Sequence, residues 1–176
     1  MKKVLFLAPL LVLLTVLAGC DKINDLLTFT IEDSQSVKIA SGFPINVVTP
    51  VSPITVPTRS DEKFKNENTS ANLVKDVKLD RLTLTVTDPS SENFDFLSSI
   101  SLYISTDGND RILLASQDNV PMGVNTIQLT PTTEKLDKYI KGSSYTLSTE
   151  ARIRKAISKD ITIRADSRFK VTADPL

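Results

Sequence analysis

Leu82-Thr83-Leu84-Thr85-Val86-Thr87 alternates apolar and polar side chains without a break and is then stopped by Asp88-Pro89-Ser90-Ser91. Successive side chains of an extended strand point to opposite faces, so this stretch has one face for a core and one for water. The same period of two returns in Ile100, Leu102 and Ile104, interleaved with Ser101, Tyr103 and Ser105. Thr106-Asp107-Gly108-Asn109 then predicts a tight turn into a strand over Arg111 to Ser116, because Asp-Gly tolerates the positive φ that such a turn needs. Asn125 to Thr130 reads as a further short strand. Upstream, Leu27, Phe29 and Ile31 alternate with Thr28, Thr30 and Glu32 as a first strand, and Ser36 to Ala40 reads as a second.

Prolines and polar runs mark the interruptions. Residues 43 to 58 carry Pro44, Pro50, Pro53 and Pro57, which cannot donate to a ladder, so an edge strand or polyproline-like segment is expected there. Asp61 to Ser70 is almost wholly polar and reads as a loop. Glu134 to Lys141, ended by Gly142, has Leu136, Tyr139 and Ile140 on one helical face and predicts the one short helix. Tyr145, Leu147, Thr149, Ala151 and Ile153 share one face of a strand. Ile161, Ile163, Ala165, Phe169, Val171 and Ala173 share a face of the next, and the two read together as a long final hairpin. Many short strands with one helix predict an all-β fold, an antiparallel β-sandwich of Greek-key or immunoglobulin-like type. A small barrel is the alternative, disfavoured by the scarcity of glycine for kinked corners.

Composition removes several function classes. The 176 residues contain one Cys and no His, so neither a thiolate-imidazole zinc site nor a Ser-His-Asp or Cys-His arrangement can be built, and no cofactor is expected. Lys plus Arg equal Asp plus Glu at 21 each, without the cationic excess of a nucleic-acid binder. Paired carboxylates for hydrolysis are not recognisable from sequence, and no Trp is present to stack sugars.

The single Cys has a different meaning in its context. Lys2 and Lys3 precede a run from Val4 to Ala18 that is apolar but for Pro9 and Thr15, the length of a signal-peptide core and too short to span a bilayer. It ends in Leu17-Ala18-Gly19-Cys20, which resembles the lipobox of bacterial lipoproteins. That resemblance implies residues 1–19 as a cleaved signal, Cys20 as the lipidated first residue of the mature chain, 20–25 as a short tether and 26–176 as one domain. Removal of Lys2 and Lys3 leaves the mature chain slightly acidic and without a thiol for a disulfide. Acyl chains on Cys20 would attach it to a membrane, since several chains make a stable anchor where one is marginal.

Other motifs are read as structural. Ser167-Arg168-Phe169-Lys170 has the Ser-x-x-Lys spacing of penicillin-binding enzymes, but on a strand the two ends point to opposite faces. Asp107, Asn109 and Asp118 fit three positions of a calcium loop that lacks its central Gly, so a turn is preferred; a looser site among Asp88, Asp107 and Asp110 is the remaining metal arrangement. On the final hairpin, Arg152, Arg154, Arg164, Arg168 and Lys170 are expected to point outward from neighbouring strands as a basic stripe. Such a stripe suits lipid headgroups, an anionic polysaccharide or an acidic protein, while its bland reading is a solvated face kept from edge pairing by charge.

From Asn72 to Leu176 the chain resembles a group of uncharacterised lipoproteins of Bacteroidota-type bacteria, through Leu73-Val74-Lys75-Asp76-Val77, Phe94-Asp95-Phe96-Leu97, Leu102-Tyr103-Ile104-Ser105-Thr106-Asp107-Gly108 and Phe169-Lys170-Val171-Thr172-Ala173. The resemblance implies a sandwich and brings no known activity. It also turns the expected location from the inner membrane, to which Asp21 alone would point, to the outer membrane of the cell envelope. The expected function is a non-enzymatic, anchored module that binds an envelope protein or polysaccharide. A carboxylate hydrolase would instead need a deep cleft with buried acids of raised pKa, and a lipid carrier an apolar cavity between the sheets.

Overall fold

Residues 28–174 are described by a computed structural model. Eight strands run β1 (Thr28–Ile39), β2 (Val48–Pro57), β3 (Val74–Asp88), β4 (Leu97–Ser105), β5 (Ile112–Gln117), β6 (Thr126–Pro131), β7 (Ser144–Ile153) and β8 (Ile161–Ala173). Two short helices, α1 (Ser60–Asn66) and α2 (Asp137–Lys141), interrupt them.

The first half of the chain pairs with the second in reverse order: β1 with β8, β2 with β7, β3 with β6 and β4 with β5, all antiparallel. Lateral pairing of β8 with β3 and of β7 with β4 rolls this nested hairpin into two layers, β1-β8-β3-β6 and β2-β7-β4-β5. The far end of β6 leaves β3 and pairs with β5 at Thr130 and Pro131, joining the layers along one side. The expected Greek-key sandwich is therefore present, and its double Greek key is that of a jelly roll.

Alternation set the faces correctly. On β8 the odd residues Ile161, Ile163, Ala165, Phe169 and Val171 are buried, and on β7 Tyr145, Leu147, Ala151 and Ile153 meet them from the other sheet. The remaining gap between the sheets, lined by Val37, Leu84, Leu102 and Ile163 among others, holds about 10 Å³. That is too small for an acyl chain.

Three expectations are corrected. The first two predicted strands are one strand, β1, whose odd residues keep the inward phase across Asp33-Ser34-Gln35. Polar residues are tolerated there because the Asp33 carboxylate accepts from the Ser34 amide at 2.9 Å, the Gln35 amide group at 3.2 Å and the Tyr145 hydroxyl at 3.3 Å. The polar stretch after Ser60 is not all loop, since Ser60–Asn66 forms α1. Its one aromatic, Phe64, is fully buried and meets Phe29 edge to face at 6.2 Å, while Lys63 Nζ donates to the Glu32 carbonyl at 3.2 Å. Helix α1 thus covers part of the open edge of β1, one of the ways native sheets blunt an edge. Finally, β7 and β8 do not pair and lie in opposite sheets. The connection over 154–160 crosses between the layers, and it is held to the start of β4 by the Arg154 amide, which donates to the Phe96 carbonyl at 2.8 Å.

Other expectations stand as read. Strand β2 is an edge strand paired only with β7, and its register slips between Val51 and Ile54, where Pro53 sits. The β4–β5 hairpin turns through Gly108 at φ 87°.

Candidate functional site

The separation of β7 from β8 divides the expected basic stripe. Arg152 is exposed on β7, opposite Val48 of β2, on the outside of the second sheet. Arg154 lies just past β7 and is turned inward: its Nε donates to the Leu97 carbonyl at 2.8 Å, and an Nη donates to the Val120 carbonyl at 2.6 Å. It is a clasp between loops and is not available to a ligand. Arg164, Arg168 and Lys170 do point outward together, from β8 on the first sheet.

Their neighbours come from β1 and β3 instead. The register sets four rows across the outer face: Thr30, Lys170 and Lys78; Glu32, Arg168 and Arg81; Ser34, Asp166 and Thr83; Ser36, Arg164 and Thr85. A bulge in β3 between Leu79 and Arg81 places Asp80 and Arg81 together against Arg168. The face is concave at this point, and a groove of about 470 Å³ is lined by Glu32, Ser34, Arg81, Thr83, Arg164 and Arg168 with their neighbours.

Several of these charges are compensated locally. Arg168 donates from Nε to Asp80 at 2.6 Å and also pairs with it through Nη2. Arg164 Nε meets Asp166 at 2.8 Å, and Lys78 meets Asp76 at 3.0 Å. Burial works to raise the Asp166 carboxyl, but the Ser34 hydroxyl and the Arg164 guanidinium outweigh it and hold that carboxyl below the ordinary range. Arg81 and Lys170 make no ion pair among the described residues. Lys78 and Arg81 were missed in the sequence because face can be read from alternation and strand partners cannot. The polar phase of β3 does place Lys78 opposite in facing to Leu79 and Leu82.

The other candidates are dispersed or structural. Ser167 and Lys170 point to opposite faces as expected, with the Ser167 hydroxyl donating to the Asp33 carbonyl at 3.3 Å. Asp107 caps its own turn by accepting from the Asn109 amide at 2.9 Å, and Asp110 accepts from Thr106 and pairs with Lys138 at 3.0 Å. Burial would raise Asp110, yet the Thr106 amide and hydroxyl and the Lys138 ammonium hold it far below the usual range. Asp88 lies at the opposite end of the sandwich, beside Thr162, so it does not join Asp107 and Asp110. No group of three or more His, Cys, Asp or Glu that could hold a metal occurs among the described residues. A second cleft of about 270 Å³ between the β3–β4 and β7–β8 connections is lined by Glu92, Asp95, Lys155 and Lys159, with the Asp95 carboxylate accepting from the Gly123 amide at 2.5 Å. Cys20 lies outside the described residues, and no described helix is long and apolar enough to cross a membrane.

No family model matches the chain, and no curated protein matches it. Among solved structures it is similar to the decameric BFDV capsid protein at 11% identity, covering 84% of this chain and 98% of that one with a TM-score of 0.41. It is also similar to structures of Desmodium yellow mottle tymovirus, at 10% identity over 85% of this chain and 90% of that one with a TM-score of 0.29, and of turnip yellow mosaic virus, at 11% over 84% and 83% with a TM-score of 0.30. Identities this low carry no residue from those proteins to this one.

Proposed function

We propose that the protein is a lipid-anchored, non-enzymatic binding module of a bacterial cell envelope, held at the outer membrane by acyl chains on Cys20. The observation that carries this reading is Leu17-Ala18-Gly19-Cys20 at the end of an apolar run with Lys2 and Lys3 before it, only a few residues ahead of the first strand at Thr28. The organisation of the sandwich supports it. The interior is filled by side chains, so a ligand would be held on the surface of the roll. The Asp166 carboxylate in the larger groove is kept ionised by its donors, which suits charge pairing better than proton donation.

The test is metabolic labelling with a palmitate analogue in a bacterial host, followed by separation of inner and outer membranes. The chain should take up label and sediment with the outer membrane, and Cys20→Ser should be unlabelled and released. Equal labelling of the Cys20→Ser chain, or a wild-type chain found free in the periplasm, would end the anchored reading.

A further inference from the structure

On the outer face of the first sheet, like charges stand directly opposite each other in consecutive rows: Lys78 faces Lys170, and Arg81 faces Arg168. Such pairs work against a sheet, and the arrangement occurs twice in succession. Asp76 and Asp80 compensate one member of each pair, leaving Arg81 and Lys170 without an ion partner among the described residues. Arg164 is engaged by Asp166 through Nε. A concavity of about 470 Å³ is lined by the guanidinium groups of Arg81, Arg164 and Arg168 and the Thr83 and Thr85 hydroxyls, with Glu32 and Asp166 also in its wall, while Lys78 and Lys170 stand in the row beyond it. The guanidinium and ammonium groups of the two rows are donors for phosphate oxygens.

We infer that this face docks onto phosphate-bearing anionic lipid headgroups of the membrane that holds the anchor, with Arg81 and Lys170 as its uncompensated contacts. The inference rests on the anchored reading, because position selects lipid over a soluble polyanion. Strand β1 belongs to this same sheet, and Thr28, where it begins, lies opposite Thr172, two residues beyond Lys170. The eight steps from Cys20 to Thr28 reach at most about 29 Å whatever their conformation. From Lys170 to Arg164 the face extends about 20 Å along β8. A short tether leaving this sheet can thus lay the basic rows against the headgroups. Arg152, on the outside of the other sheet, faces away. Each basic group within a Debye length of an anionic surface strengthens contact about fivefold.

The acylated full chain is reconstituted in phosphatidylcholine vesicles with and without phosphatidylglycerol, and lysine acylation by an amine reagent is followed by mass spectrometry. Lys78 and Lys170 should react several-fold more slowly only with phosphatidylglycerol present and only at low salt, while Lys155 and Lys159 at the far end react equally throughout. Arg81→Glu should restore the reaction of Lys170, and Arg81→Gln, which adds no repulsion, should restore part of it; melting curves confirm that both variants are folded. Equal reactivity of Lys78 and Lys170 in the two vesicle types would overturn the inference. Equal protection by inorganic phosphate without anionic lipid would overturn it as well, by assigning the face to a soluble oxyanion. Flotation with the vesicles at high salt reports the acyl anchor separately. Loss of flotation there would refute the anchor, while the lysine readout at low salt on the same preparation still decides the face.

Discussion

Asp160, the last residue before β8, shows how an exposed group can still report on the fold. The Lys38 ammonium hydrogen-bonds it at 2.8 Å and the Ser41 amide donates to it at 2.8 Å; together they outweigh desolvation and hold its carboxyl at about 2. A carboxyl whose folded pKa lies below its unfolded value stabilises the fold above the unfolded pKa near 4, and that contribution is lost as pH falls toward 2. A carbon-detected NMR titration should find the Asp160 midpoint near 2, and Lys38→Met should move it back toward the ordinary range. Tyr145 behaves in the opposite sense. Burial between the sheets, and then the charge of Asp33, push its phenol far above the usual value. The unfolded chain therefore ionises first as pH rises past about 10, and stability falls from there. Ultraviolet titration should show phenol absorbance that appears only with unfolding, and Tyr145→Phe should reduce the amplitude of that late step.

At the scale of elements, α1 exists because of what it covers. Seven residues with one aromatic carry no helical periodicity, and the turn forms because Phe64 is buried against Phe29. Phe64→Ala should cost about 3 to 5 kcal/mol and raise amide exchange along the uncovered edge of β1; unchanged exchange there would separate the helix from the edge. The opposed cations of β3 and β8 make the reverse prediction. Lys170→Glu opposite Lys78 should raise stability by about 0.2 to 1 kcal/mol in denaturant unfolding, since it replaces a like pair with an opposite one and leaves the Lys78–Asp76 pair in place. These elements also show how far the sequence could be read. Faces were legible, because a period of two fixes them within each strand: the odd residues of β8 are buried as expected, and Arg164, Arg168 and Lys170 point out. Partners were not, because pairing is decided by how the sheets close. Arg152 and Arg154 were therefore grouped with the wrong strand, and Lys78 and Arg81, far earlier in the chain, were left out.

For the whole molecule, the decisive event is the crossing at 154–160, which turns a chain patterned as hairpins into a roll. A hairpin closing over that connection would set Glu150 opposite Arg164. In the roll Glu150 instead lies between Pro50 and Ser101, and Arg164 between Ser36 and Thr85. Disulfides require Cα atoms within about 4.4 to 6.8 Å, which directly opposed antiparallel residues satisfy. Because stacked sheets lie about 10 Å apart, outward residues on different layers are well beyond that reach. In a Cys20→Ser background, Ser36→Cys with Arg164→Cys should oxidise to a single crosslinked monomer, and Glu150→Cys with Arg164→Cys should remain reduced under the same conditions. A 150–164 crosslink would return Arg152 and Arg164 to one basic stripe and dissolve the face built from β8 and β3. The 36–164 crosslink alone would keep Arg164, Arg168 and Lys170 on the layer that contains β1, apart from Arg152 on the other layer.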